Sequence, residues 1–211
     1  MLNIVNPNST ISQESAPFTL FGNRGELHKR SGLQPRVAEN RWIYCVTSAL
    51  RNPKDFMSPG SLTELFFLDE ATALAAGHRP CGRCNKGRFD EFLKICRKVR
   101  GNSKLTIEEF DAELHTHRIV GNERRAYLED ASKLPAGVMI RELGRDQPLL
   151  LHSYVHPKDQ VNWCVYPWTS HGYGLKEGLP AGEVEVLTPR PIVEVMLAGF
   201  NAGPEKPLLA W

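Results

Sequence analysis

The chain has 211 residues and a formal net charge of +2, with 41% hydrophobic and 24% charged residues. Such a length buries a substantial core, and no apolar run approaches the roughly 18 residues that a membrane-spanning helix needs. The N-terminus lacks the basic start and apolar stretch of a secretory signal, so the expectation is a cytoplasmic protein whose five cysteines (45, 81, 84, 96 and 164) stay free, metal-bound or reactive.

Residues 1–18 carry Asn, Ser, Thr and Pro with little periodicity and are expected to form a loose leader. FTLFGNRGELH, with two glycines, reads as a turn-like entry to the domain. RWIYCVTSAL, residues 41–50, concentrates β-branched and aromatic residues around Cys45 and predicts a strand. NPKDFMSPGS is a loop, LTELFFL a strand or helix approach, and Asp69 an N-cap for EATALAAG, which Gly77 closes. A helix over about 86–99 aligns Phe89, Phe92, Cys96 and Val99, and a second over about 106–117 puts Ile107, Phe110 and Leu114 on one face, with His115 at its edge. Helix is expected to continue through ERRAYLEDASK.

From Val138 onward, short apolar runs (VMIREL, PLLLHSYV, VNWCVYPW, EVEVLT) alternate with turns, the spacing of a small antiparallel sheet or partial barrel. A closing helix is expected with Thr188 as N-cap and Pro189 at its first position. The fold class is therefore α+β, with a boundary near residue 134. Residues 19–134 form a metal-binding module with helices, and residues 135–211 a β-rich domain of unassigned role ending in a short helix. The aromatic group Trp163, Tyr166, Trp168, His171 and Tyr173 can stack unpaired bases, but the core of a small sheet explains it better.

The sequence RPCGRC brings Cys81 and Cys84 into one turn of chain. Two thiolates so close bind one ion with little loop entropy, and zinc then needs one or two further ligands. From Arg79 to Arg100, Lys and Arg outnumber the two acids, Asp90 and Glu91, so the field beside the thiols is positive although the whole chain is only mildly basic. Cys96, on an apolar stripe, is expected to be a buried structural thiol. His115 is the preferred fourth ligand among the histidines, ahead of His28, His78 and His117, with water as the other choice.

LFFLDEATALAAGHRPCGRC resembles the zinc segment of the Ada-type DNA methylphosphotriester repair domain. The residues that carry the resemblance are Phe66, Phe67, Ala76, Gly77, Arg79, Pro80, Cys81, Arg83 and Cys84, together with Ile43, Tyr44 and Cys45 upstream. It covers about residues 41–90, under a third of the chain. The resemblance implies Zn2+ bound by Cys45, Cys81 and Cys84, with Cys45 also the nucleophile that takes a methyl group from a DNA phosphotriester, and Arg79 and Arg83 near phosphates. The family's other upstream cysteine falls at Ala49, so three thiolates give a site of formal charge about −1 rather than −2, with a less nucleophilic sulfur.

The leading expectation is thus a zinc-binding protein that contacts DNA, in repair or regulation. It is followed by a stoichiometric methyl acceptor using Cys45, and by a zinc hydrolase or deaminase with an open three-cysteine site and Glu64 or Asp69 as proton carrier.

Overall fold

The computed structural model describes residues 1–29, 32–33, 39–120, 123–155, 161–204 and 207–210. The first eighteen residues are not a loose leader. Strands β1 (Leu2–Val5) and β2 (Ile11–Glu14) form a hairpin, and β1 adds in parallel to β7 (Leu65–Phe67) with Ile4 opposite Phe66. The reason is burial: Ile4 and Val5 are at most 1% exposed, and Arg24 bonds Ser9 through its side chain and carbonyl. The polar composition of the segment hid a short apolar strand with a sheet to join.

The glycine-containing stretch read as a turn is also a strand, β3 (Leu20–Asn23), between β7 and β6 (Ile43–Val46). Gly22 is there because the neighbouring backbone comes close: a Cβ at this position would lie 2.1 Å from the Ile43 carbonyl oxygen. A small hairpin, β4 (His28–Lys29) and β5 (Gly32–Leu33), lies between β3 and β6 in the chain.

After β7 the chain forms α1 (Glu70–Ala75), capped by the Asp69 carboxylate, which accepts from the Thr72 N–H at 2.8 Å. Gly77 then takes φ +84°, a left-handed conformation that stops the helix and turns the chain into β8 (Arg79–Pro80). Strand β8 completes a six-stranded sheet of order β2-β1-β7-β3-β6-β8, and its pairing with β6 is parallel, Ile43 opposite Arg79 and Tyr44 opposite Pro80.

Helices α2 (Lys86–Val99) and α3 (Ile107–Thr116) follow, α3 opening with a capping box between Thr106 and Glu109. The expected continuation of helix is corrected. α3 ends at Thr116, and β9 (Ile119–Val120), β10 (Glu123–Arg124) and β11 (Tyr127–Asp130) take its place. Tyr127–Asp130 pairs residue for residue with β17 (Glu183–Val186), so long-range pairing outweighs the local helix propensity of RRAYLED.

The second sheet therefore begins at residue 127 rather than 135. It has seven strands, ordered β11-β17-β12-β13-β14-β15 with β16 on β14; the strands not yet given are β12 (Met139–Arg141), β13 (Leu149–Val155), β14 (Val161–Thr169), β15 (Gly172–Tyr173) and β16 (Glu177–Gly178). The last helix, α4 (Arg190–Leu197), is capped by Pro189, not Thr188; the Thr188 hydroxyl is buried and accepts the Met139 N–H at 3.0 Å.

The two halves share one core. A single apolar cluster runs from Val5, Tyr44 and Phe67 through Phe92 and Phe110 to Val138, Leu151, Val186 and Phe200. Phe92 meets Phe110 and Phe200 edge-on at 5.4 and 5.1 Å. Polar bonds cross the same seam: the Tyr173 hydroxyl donates to Asp69 at 2.7 Å, and the Trp168 indole donates to Thr72 at 3.1 Å. The aromatics of the β14 region divide accordingly, Trp168 and Tyr173 buried at this seam and Trp163 40% exposed. Among the described residues no helix is long and apolar enough to cross a membrane.

Candidate metal centre

Cys45 sits on β6, between β3 and β8 in the sheet, and Cys81 directly follows β8. The parallel β6–β8 pair, extended by a Cys81 N–H to Tyr44 carbonyl bond of 2.9 Å, sets the two cysteines side by side although they are far apart in sequence. The chain then turns, closed by an Asn85 N–H to Cys81 carbonyl bond of 3.1 Å, so that Cys84 comes back to the pair just before α2 begins. The three sulfurs lie within 4.8 Å of one another, and the cluster can hold a metal ion. Four-coordinate zinc with bonds of about 2.3 Å needs sulfurs about 3.8 Å apart, so only a small contraction separates this arrangement from a tetrahedral face.

The neighbouring Cys45 thiol and the backbone N–H groups of Cys84 and Arg83 favour the Cys81 thiolate and, against the cost of burial, bring it down to about 4. The Cys81 sulfur, with burial and the Cys84 sulfur, pushes Cys45 well above the usual thiol range. A divalent cation bound by these sulfurs would displace the protons they carry.

All five cysteines are free. Cys96 is fully buried beside Phe92, its thiol pushed up to about 12 by burial, and it stands outside the cluster, as does Cys164.

His115 stands outside the three-sulfur group. Its ring stands edge-on to Trp42 at 6.0 Å, and its buried Nδ1 has no hydrogen-bond partner. The cause lies in how α3 packs, against Trp42, whose ring also meets the Arg24 and Arg118 guanidiniums at 4.7 and 4.8 Å. Burial and Arg118 hold His115 below the ordinary histidine range. His28 is bonded to Thr63 and Ser58, and His78 packs between Trp42 and Phe67. Ala49 lies exposed in a single 3-10 turn after β6.

Arg79 is corrected. It is 4% exposed and forms a forked pair with Asp111, Nη2 to Oδ2 at 2.7 Å and Nε to Oδ1 at 3.1 Å, so its guanidinium braces β8 against α3 instead of facing outward. Arg83, by contrast, is exposed beside Cys84, and Lys86 follows at the start of α2 with 71% of its side chain exposed.

Neither Glu64 nor Asp69 joins the cluster. Glu64 pairs with Arg51 and accepts the Met57 N–H, while Asp69 caps α1 under Tyr173. Sequence reasoning missed the braces behind the sulfurs: Asp111, and the Tyr44–Glu70–Arg88 chain that ties β6 to α1 and α2. Asp111 was findable, because an acid four residues after Ile107 and three before Leu114 falls on the apolar face of α3, where it needs a buried cation.

No protein-family model matches this sequence, and no characterised protein or solved structure is significantly similar to it.

Proposed function

We propose that Cys45, Cys81 and Cys84 bind one zinc ion, and that the module they form contacts DNA through the surface carrying Arg83 and Lys86. The observation that carries this reading is the convergence of three sulfurs from two separate segments on one point. A soft, all-sulfur donor set suits zinc among the common metals, and tetrahedral zinc leaves the fourth position to water or to an incoming ligand. Free cysteines suit a reducing compartment, which supports a cytoplasmic location.

DNA contact is supported by the resemblance of residues 41–90 to the Ada-type domain and by the exposed cations beside Cys84. Arg83 and Lys86 would meet the phosphate backbone, giving sequence-tolerant, salt-dependent binding. The hydrolytic reading lacks support, because both proposed proton carriers are held elsewhere.

Metal analysis of the reduced protein tests the first half: one zinc per chain is expected, falling in each of Cys45→Ser, Cys81→Ser and Cys84→Ser but not in Cys96→Ala. Fluorescence anisotropy with duplex DNA tests the second. Retention at low salt that weakens as salt rises, and weakens further in Arg83→Ala, is expected; absence of binding at low salt refutes it.

A further inference from the structure

The five free cysteines differ in what can reach them. Cys45 and Cys81 are 7% and 8% exposed, and Cys96 and Cys164 are buried away from the cluster. Cys84 alone is only partly covered, at the close of the turn and next to the exposed Arg83. A reagent arriving from solvent therefore meets Cys84 first. A second sulfur stands directly behind it. The Asn85 N–H to Cys81 carbonyl bond of 3.1 Å closes the turn, and the cluster holds the sulfurs of Cys81 and Cys84 within 4.8 Å of each other. Residues three apart in so tight a turn have Cα atoms less than about 7 Å apart, within the reach of a disulfide.

We propose that Cys84 and Cys81 form a peroxide-responsive pair: a hydroperoxide oxidises Cys84, Cys81 resolves it as a disulfide, and the metal site loses two of its three sulfurs. The loss of metal rests on the zinc reading above, whereas the disulfide does not need it. The Cys84 sulfur attacks the terminal oxygen of the peroxide, forming an S–O bond as the O–O bond breaks. The departing oxygen takes the thiol proton and leaves as water or an alcohol. The Cys81 sulfur then attacks the Cys84 sulfur, and the S–S bond forms as the S–O bond breaks; the hydroxyl leaves as water with the Cys81 proton. Each sulfur is oxidised by one electron, and the peroxide is reduced by two. Cys45 remains as a single sulfur, too few to hold the ion. In a reducing compartment such a disulfide is transient, the form that redox sensing takes there.

The test treats the full, reduced, zinc-loaded chain with hydrogen peroxide, alkylates the remaining thiols in denaturant, and maps the tryptic peptides, which carry Cys45, Cys81 and Cys84 separately. A linked Cys81–Cys84 pair is expected, with Cys45, Cys96 and Cys164 recovered as thiols. Loss of the bound zinc to a chromogenic chelator is expected in step with the link, and dithiothreitol should reverse the link. A link that includes Cys45, or oxidation spread equally over Cys84 and Cys96, overturns the assignment. A zinc-loaded chain that forms no link removes the pair and leaves the metal reading intact. A chain that forms the link but never carried zinc removes the metal reading and leaves the pair.

Cys81→Ser supplies the second variant, because it keeps Cys84 and removes the sulfur that resolves it. With dimedone present during the peroxide treatment, label on the Cys84 peptide is expected to rise about tenfold over the parent chain. Label no higher than in the parent refutes the role given to Cys81.

Discussion

Replacing Asp111 with Ala removes the only carboxylate paired with Arg79 among the described residues and leaves a guanidinium 4% exposed with no counter-ion. Arg118, fully buried with Asp111 at 3.9 Å, loses part of its compensation too. Breaking a buried pair in this way costs about 3–5 kcal/mol, which in a chain of this size lowers Tm by roughly 10 °C. The double replacement Arg79→Met with Asp111→Leu, which removes both charges, is expected to recover most of that loss. Urea unfolding of the two single variants and the double variant gives the coupling energy directly.

There is a second consequence at the sulfurs. Arg79 is two residues before Cys81 on β8, so freeing its side chain loosens the strand that sets Cys81 beside Cys45. Zinc retention against a competing chelator should weaken about tenfold, the equivalent of 1.4 kcal/mol of lost preorganisation. A destabilisation below about 1 kcal/mol for Asp111→Ala, or a double variant no better than the single, would refute the reasoning, since either means the pair is well solvated.

Gly22→Ala places a methyl group 2.1 Å from the Ile43 carbonyl oxygen, pushing β3 from the strand that carries Cys45, and should cost about 2 kcal/mol by chemical unfolding and lower zinc content as well. Cys96→Ala should cost about 1 kcal/mol through the small void beside Phe92, yet leave zinc stoichiometry at the parent value.

The metal-free, reduced protein should show a stability maximum in pH. With Cys81 held at about 4 and Cys45 raised, the native pair keeps one proton across the neutral range. Between about pH 4 and the ordinary thiol value near 8.5, the unfolded chain binds more protons than the native pair, so stability rises with pH. Above that value the unfolded chain has given up the proton that the native pair retains, and stability falls. Urea unfolding across this range checks it, and a monotonic profile that is unchanged in Cys81→Ser would count against the coupled pair.

The parts that were legible in the sequence are those governed by local signals. Helix α2 could be read from the spacing of Phe89, Phe92 and Cys96, α1 from Asp69 and Gly77, and the strands of the second sheet from their apolar runs between turns. Legible too was the pairing of Cys81 with Cys84, a matter of adjacency, and of Cys45 with them through the family resemblance.

Illegible were the features set by distant partners. LNIV looks like part of a polar tail until β7 offers it an edge, and YLED looks helical until EVEV pairs with it. His115 was judged by its place on the helix, but the direction that the helix edge faces depends on Trp42, brought to it by the tertiary fold. Arg79 was placed near phosphates by the resemblance alone, and its partner Asp111 lies on another element, beyond the reach of any local pattern.

The parallel pairing of β6 with β8 also bears on how the chain folds. Parallel strands cannot be joined by a tight turn, so everything between Cys45 and Cys81, including β7 and α1, must be threaded while those ends find each other. An ion caught by the two cysteines early would act as a reversible staple across that long loop, lowering the entropy of the unfolded chain by about 4 kcal/mol on the scale used for cross-links. Unlike a disulfide, such a staple can let go and close again, so a misthreaded loop could be corrected without a redox partner.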